Sequence, residues 1–167
     1  MIVLPYPSYP FKIKAINGKD QIFDPFRKIW VVLTPEEWVR QNLLQYLVQT
    51  LKYPSSLIAV EKEIKLGELS KRFDIVVYKN ELPWMIIECK EAKVSLNEKT
   101  MGQILQYQQV LTAQYLFMSN GHETMGAKNR IGETASLAKF PRIQLRFIFS
   151  LYISIYKFLL IKNLPSY

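Results

Sequence analysis

The sequence has one cysteine, Cys89, and one histidine, His122, among 167 residues. A single cysteine excludes a disulfide framework within the chain and a cysteine-rich zinc site. A single histidine argues against a His-based metal site and a His-dependent catalytic triad. The Gly-x-x-x-x-Gly-Lys-Ser/Thr loop of ATP-driven motors is also absent, so we do not expect translocation by this chain. Its chemistry must come from carboxylates, lysines, amides and hydroxyls.

Long apolar runs are also scarce. Residues 147–161 form the only membrane-like segment, but they are too few for a spanning helix of about 20 residues, and Lys157 interrupts them. The first residues lack the basic stretch and apolar run of a secretory signal. We therefore expect a cytoplasmic protein with no membrane span. A hydrophobic-interaction protein associated with membranes is an alternative, although such a stretch more often belongs to a core or an oligomer contact, and a dimer is compatible with the sequence.

The net charge of +8 would suit a nucleic-acid partner. The distribution of the charged residues weakens this interpretation. Residues 1–121 contain 15 basic and 12 acidic residues, whereas residues 122–167 contain 7 basic and 2 acidic residues. On charge alone, an ordinary solvated surface explains the modest excess of the first part.

The pattern along the chain divides it into three parts: an N-terminal arm (1–33), a core (34–121) and a basic, aromatic extension (122–167). The arm is rich in proline and aromatics, which predicts an irregular segment or short strands. In the core, Thr34 and Glu37 predict a capping box, and a helix should run from there until Tyr53-Pro54.

Strands are expected over residues 57–66, 72–78 and 84–90, the last two joined as a hairpin. A second helix should run from Ser95 to about Thr112, followed by a buried strand over 115–119. The order is α-β-β-β-α-β, an α/β fold. Beyond Gly121 no clear period is present, and residues 142–161 fit either strand or helix.

Three residues on the predicted hairpin could carry chemistry. Asp74 starts one strand, and Glu88 and Lys90 share one face of the next. The carboxylates of Asp74 and Glu88 could share a hard cation such as Mg²⁺, and the backbone carbonyl of Cys89 could add a ligand. Lys90 could then orient or deprotonate a water, or neutralise charge on a phosphate.

On the next predicted helix, Gln103 and Tyr107 are spaced i, i+4 and could contact phosphate or support the metal-site residues. Each of these residues alone also fits a surface ion pair or a polar helix face. Their joint order favours a functional site.

This order, Asp74…Glu88-Cys89-Lys90 followed by Gln103-x-x-x-Tyr107, resembles the PD-(D/E)xK nuclease superfamily. The segments Thr34-Pro35-Glu36-Glu37-Trp38-Val39-Arg40-Gln41, Leu57-Ile58-Ala59-Val60-Glu61-Lys62 and Lys71-Arg72-Phe73-Asp74-Ile75-Val76-Val77-Tyr78 resemble more closely the N-terminal nuclease domain of type I restriction enzyme R subunits, of which small stand-alone relatives exist. The likeness covers about residues 24–121.

The resemblance implies a restriction-endonuclease-like core with a central mixed sheet flanked by helices. It also implies a Mg²⁺-dependent DNA nuclease, with Mn²⁺ as a substitute, and a separate motor or specificity subunit as a further partner. Asp74, Glu88 and Lys90 match the catalytic positions, and Gln103 and Tyr107 match the accessory motif. Glu37 matches an extra acidic metal ligand, and Glu36 fits that position equally well.

Two features depart from the family pattern. Phe73 stands before Asp74 where proline is usual, and the tail after Gly121 lacks the expected aromatic and apolar strand. Two interpretations of the tail stay open, a diverged extension or the product of a shifted reading frame. The alternative to an enzyme is a catalytically inactive module of the same fold that binds DNA or a partner protein.

Overall fold

The computed structural model describes residues 2–66, 69–97, 99, 102, 113–130 and 133–143. These residues form a small sheet of three strands, a large sheet of six, and one regular α-helix, α1. The small sheet contains β1 (Ile13–Ile16), β2 (Lys19–Asp24) and β3 (Ile29–Val32). Helix α1 is Pro35–Gln45, and the large sheet contains β4 (Ile58–Leu66), β5 (Leu69–Lys79), β6 (Leu82–Cys89), β7 (Tyr115–Ser119), β8 (Thr124–Arg130) and β9 (Glu133–Leu137).

The predicted N-terminal arm contains an antiparallel meander, which confirms short strands rather than an irregular segment. Asn17 and Gly18 connect β1 to β2, with φ of 50° and 71°. A two-residue turn with both φ positive matches the twist of a hairpin, and asparagine and glycine adopt it at low cost. The arm is therefore a sheet of its own.

Helix α1 begins as predicted, because the Thr34 hydroxyl accepts a hydrogen bond from the Glu37 N–H at 3.0 Å. The reciprocal half of the capping box is wrong, since the Glu37 side chain contacts Arg27, Arg40 and Gln41 instead. Regular α-helix also ends earlier than predicted. A π-helical turn, Tyr46–Thr50, completes the segment before the chain leaves towards β4.

The three strands predicted in the middle of the chain are confirmed as β4, β5 and β6. The predicted β5–β6 hairpin is confirmed as well, and Asn80 and Glu81 form its turn with φ of 51° and 64°. The strand predicted over 115–119 is β7, which pairs parallel to β6, while all other neighbours pair antiparallel. The fold is therefore α/β with a central mixed sheet.

Apolar side chains cover both faces of the large sheet. On one face, Val39 and Leu43 of α1 and Leu47 of the π-helical turn pack against alternate residues of β5 and β6, including Ile75 and Ile87. On the other face lies a smaller cluster of buried side chains: Phe73, Val76, Ile86, Leu96, Ala113, Leu116, Met118 and Ala127. Burial on both faces explains why β6 and β7 read as continuous apolar runs.

The sheet continues past Gly121, where the sequence showed no clear period. Strands β8 and β9 pair in order beyond β7, although the sequence there offers no pattern that predicts them. Gly126 allows β8 to sit against β7, because a Cβ at this position would overlap the Phe117 ring. The boundary placed at residue 121 stays a prediction.

Several expectations fall on residues outside the described ranges. These are most of the second helix, with Gln103 and Tyr107, and the chain from residue 144 onward, with the 147–161 segment. Among the helices that the structure does describe, none combines the length and apolar character that a membrane span requires.

Candidate active site

Asp74 and Glu88 lie side by side where β5 pairs with β6. Ile75 is the partner of Ile87 in this antiparallel ladder, so the next step along the two strands brings Asp74 opposite Glu88. The two side chains are close enough to interact directly. The charge of Asp74 accordingly acts on the Glu88 carboxyl. The two acids predicted to share a site are brought together.

The backbone beside Asp74 is irregular. Val60 pairs with Ile75 and Lys62 with Phe73, but Glu61, which lies between them on β4, has a φ of 53°. Phe73 packs on the sheet face away from α1, whereas Ile75 packs towards α1, so the alternation of faces shifts at Asp74. A left-handed non-glycine residue costs of order 1 kcal/mol and persists only where its surroundings hold it.

Arg40 of α1 joins the carboxylates around this irregularity. Its Nη2 donates to Asp74 Oδ1 at 2.7 Å, and its Nη1 contacts Glu37 Oε2 at 2.5 Å and Glu61 Oε1 at 2.9 Å. Glu36 Oε1 lies 3.4 Å from Nη2. Burial lowers the pKa of Arg40, but the charges of Asp74 and Glu37 outweigh burial and raise it. The guanidinium therefore stays charged, and its ion pairs connect α1 to β4 and β5.

Cys89 contributes its backbone to the site. Its N–H donates to Asp74 Oδ2 at 2.6 Å, while its side chain is fully buried in the core under α1. Burial and then the charge of Asp74 raise the pKa of the thiol, so it remains protonated. The thiol is a core group, and a metal contact from the Cys89 carbonyl stays a prediction.

Glu88, like Arg40 Nε and Gln41 Oε1, has a buried polar atom without a hydrogen-bond partner. Its Oε1 is buried and has no hydrogen-bond partner among the residues described. Burial, with the neighbouring charge of Asp74, raises the pKa of Glu88 to about 8, although Lys71 and Lys90 oppose the shift. A buried carboxylate oxygen without a donor is costly, because it loses its hydration and gains nothing in return.

Lys90 follows β6 and is half-buried beside these acids. Its backbone N–H donates to the Ser119 carbonyl at 2.9 Å, which fixes it to the end of β7. Its ammonium lowers the pKa of Glu88 and of Glu36, yet it forms no ion pair with a carboxylate of the described chain. The lysine is therefore near both acids and available to a ligand.

The family resemblance implies an additional acidic metal ligand on α1, for which Glu37 and Glu36 are the two candidates. Both Glu37 oxygens are engaged, Oε1 by Arg27 at 3.0 Å and Gln41 at 2.9 Å, and Oε2 by Arg40. Glu36 is half-buried, and burial and then the Asp74 charge raise its pKa. A metal contact from either residue stays a prediction, and one from Glu37 would require it to leave these partners.

The carboxylate oxygens of this site partly match the ligands that a divalent cation such as Mg²⁺ requires. No group of three or more His, Cys, Asp or Glu side chains in the described ranges is arranged to hold a metal ion. Mg²⁺, however, is often held by one or two carboxylates, with water and substrate phosphate completing its shell. Asp74 and Glu88 supply that number, and the orphaned Glu88 Oε1 is the atom that a cation would satisfy.

The roles of Arg40 and Arg27 were not predicted from the sequence. Arg40 lies three and seven residues before Leu43 and Leu47, on the buried stripe that α1 shares with the π-helical turn. A charge on a buried helix face needs partners, so this spacing was a usable signal. Arg27 extends the network outward, since its Nε contacts Asp24 Oδ2 at 2.5 Å while its Nη2 holds Glu37.

Comparisons with known proteins were made for the whole chain. A family model, Type I restriction enzyme R protein N terminus (HSDR_N), matches residues 35–141. A solved fragment named as an HsdR subunit of a type I restriction enzyme from Vibrio vulnificus YJ016 is similar, with 21% identity and a TM-score of 0.48. The match covers 65% of this chain and 24% of that one, so this chain corresponds to about a quarter of its length. No curated protein matches.

Proposed function

The chain belongs to the family of type I restriction enzyme R protein N termini, and we propose that it is a metal-dependent DNA nuclease with a restriction-endonuclease-like core of the PD-(D/E)xK type. The observation that carries this proposal is the juxtaposition of Asp74 and Glu88 beside Lys90, with Glu88 Oε1 left without a partner among the described residues. A half-buried glutamate with a raised pKa next to a second acid is costly to a fold and is typical of functional sites.

In the proposed reaction, water adds to the phosphorus of a DNA phosphodiester, one P–O bond breaks, and the leaving oxygen takes up a proton. Mg²⁺ or Mn²⁺ bound by Asp74 and Glu88, with the Cys89 carbonyl as a further ligand, would polarise the phosphate and acidify water. Lys90 would hold the phosphate as the ammonium, or take the proton of the attacking water as the free amine, since its side chain forms no ion pair with a carboxylate of the described chain. Gln103 and Tyr107 are proposed as accessory phosphate contacts.

The charge network of α1 positions this site. The Arg40 guanidinium and the Cys89 N–H bind different oxygens of Asp74, so the carboxylate cannot rotate freely. Such fixed acceptors need little reorganisation during a reaction, which is the main advantage of a preorganised site. Arg40 is therefore a positioning residue, and the catalytic residues are Asp74, Glu88 and Lys90.

A cleavage assay tests the proposal. Supercoiled plasmid is incubated with the protein in Mg²⁺, in Mn²⁺ and in EDTA, and nicked and linear products are measured. We expect cleavage only with metal, and a loss of roughly 100-fold or more in Lys90→Ala. Lys93→Ala, which removes an exposed lysine three residues away, is the matched control and should cleave normally. Full activity in a folded Lys90→Ala protein would contradict the assigned site.

One observation favours a second candidate, a catalytically inactive module. Both oxygens of Asp74 are already bound, by Arg40 and by the Cys89 N–H, so this acid can be read as a structural ion pair. Calorimetric titration with Mg²⁺ separates the two functions. Binding that disappears in Glu88→Gln supports the nuclease, whereas no binding to the wild-type protein supports the inactive module. A separate motor or specificity subunit and a dimer stay predictions.

A further inference from the structure

The outer face of the small sheet carries aromatic rings and lysines side by side. Phe23 pairs with Trp30, and Lys14 lies opposite Gln21 and hence on the same face. We call this surface the Lys–aromatic face. It consists of Lys12, Lys14, Ile16, Lys19, Gln21, Phe23, Trp30 and Val32.

The opposite face of the same sheet is the one that packs inward. Ile22 and Asp24 are fully buried there. At the two outer strands of that face, Ile13 and Ile29 are 38% and 49% exposed. None of the residues of the Lys–aromatic face is buried: Val32 is 48% exposed, Ile16 is 38% exposed, and the two rings are half-buried. The rings are therefore open to a ligand on one side.

The charge of the Lys–aromatic face has one sign. Lys12, Lys14 and Lys19 all lie on it, whereas both acids of these strands, Asp20 and Asp24, belong to the opposite face. A surface of lysines without acids complements a polyanion.

The rings and the lysines are close enough to serve one ligand. The Phe23 and Trp30 centroids are 5.5 Å apart. The Lys14 ammonium lies 3.9 Å from the Trp30 centroid, and that of Lys12 lies 5.8 Å from the Phe23 centroid. Aromatic rings on an exposed sheet, flanked by lysines, can stack unpaired bases while the ammonium groups contact the phosphates.

We propose that the Lys–aromatic face binds single-stranded DNA, with bases stacked on Phe23 and Trp30 and phosphates on Lys12, Lys14 and Lys19. Bases of a duplex are stacked on each other, so flat rings favour a single strand. A base that stacks on Trp30 takes the place of the Lys14 ammonium, whose flexible stem lets it move to the adjoining phosphate. The choice of DNA rests on the proposed function.

This surface is separate from the candidate active site. It lies before residue 35, where the match to the family model begins, so the family description does not account for it. A chain of ion pairs nevertheless connects the two, from Asp24 at the end of β2 through Arg27 and Glu37 to Arg40 and Asp74. A DNA strand bound to the small sheet would therefore be held by an element that ion pairs connect to the candidate active site.

Binding is tested by fluorescence anisotropy with labelled oligo-dT of about 12 nucleotides, in EDTA so that no cleavage occurs. We expect Trp30→Ala to weaken binding by about 10-fold or more and Trp30→Phe to retain most of it, since stacking survives in the smaller ring. Lys14→Ala should reduce the slope of log affinity against log salt by about 0.7. Lys79→Ala, which removes another lysine near a tryptophan, Trp84 at 5.7 Å, is the matched control and should change neither value.

Wild-type affinity in a folded Trp30→Ala protein, equal effects of Lys14→Ala and Lys79→Ala, or tighter binding of duplex DNA or of RNA would overturn the inference. The two proposals fail separately. If binding depends on Trp30 but no metal-dependent cleavage occurs, only the proposed nuclease function is contradicted. If cleavage occurs without such binding, only the proposed role of the Lys–aromatic face is contradicted.

Discussion

Replacing Glu88 with glutamine should change how stability depends on pH. The pKa of Glu88 in the folded chain is about 8, against an ordinary value of 4.5, mainly because of burial and the charge of Asp74. At 1.36 kcal/mol per unit, this shift corresponds to at most about 5 kcal/mol. Part of the side chain keeps contact with solvent, which screens the charge, so roughly 2–3 kcal/mol is expected.

The direction follows from the proton balance. A carboxyl whose pKa is higher in the folded state keeps a proton that the unfolded chain releases between about pH 4.5 and 8, so its contribution to stability falls as pH rises through that window. Glutamine has no proton to release. The free energy of unfolding of Glu88→Gln relative to wild type should therefore increase from about pH 5 to about pH 8.5.

Urea unfolding in EDTA, followed by tryptophan fluorescence at both pH values, measures this difference. Glu81→Gln is the control, because Glu81 lies exposed in the β5–β6 turn and should show no such trend. Adding Mg²⁺ at the higher pH should stabilise wild type and not Glu88→Gln, since a ligand of the folded state adds to its stability. An unfolding difference between wild type and Glu88→Gln that is the same at both pH values would refute the reasoning.

Three further substitutions test the fold around the site, each by urea unfolding. Arg40→Met should destabilise the protein by about 3–5 kcal/mol, because it leaves buried carboxylates without their partner; a loss below about 1 kcal/mol would contradict that role. Thr34→Ala should cost about 1 kcal/mol through the lost N-cap, and Thr34→Ser should restore most of it. Gly126→Ala should cost about 1–3 kcal/mol, since the new methyl overlaps the Phe117 ring; a neutral result would show that the ring moves freely.

Most of the central sheet could be predicted because local signals agreed with each other. Apolar runs gave β5, β6 and β7, and the short polar link Asn80-Glu81 gave the hairpin. Strands β8 and β9 could not be predicted in this way. Their residues are small and polar, and they pair because β7 offers an open edge and Gly126 lets the backbone approach it.

The hairpin could be predicted, but its two-residue turn pairs Lys79 with Leu82, and this register alone would set Asp74 opposite Ile87. A register shift between Val77 and Tyr78 brings Asp74 opposite Glu88 instead, and nothing in the local sequence pattern indicates it. The contact with Arg40 could not be predicted either, because it spans 34 positions and depends on how α1 packs on the sheet. The left-handed φ of Glu61 is equally hidden, since glutamate has no preference for it and the carboxylate pairs with Arg40 and Arg72, which are distant in the sequence. Electrostatic contacts between residues far apart in the sequence therefore determine features of the site that the local sequence pattern could not predict.

The contrast between Glu88 and the acids that Arg40 binds is itself an argument for function. Arg40 or its neighbours bind Glu37, Glu61 and Asp74 through short contacts, whereas Glu88 Oε1 has no donor among the described residues. A leucine or methionine at position 88 would remove the desolvation cost, and replacing buried charges by apolar groups is often neutral or stabilising. A fold that pairs the acids around Arg40 and leaves Glu88 Oε1 without a donor loses stability at that position, and positions that break such local rules are typically those of a functional site.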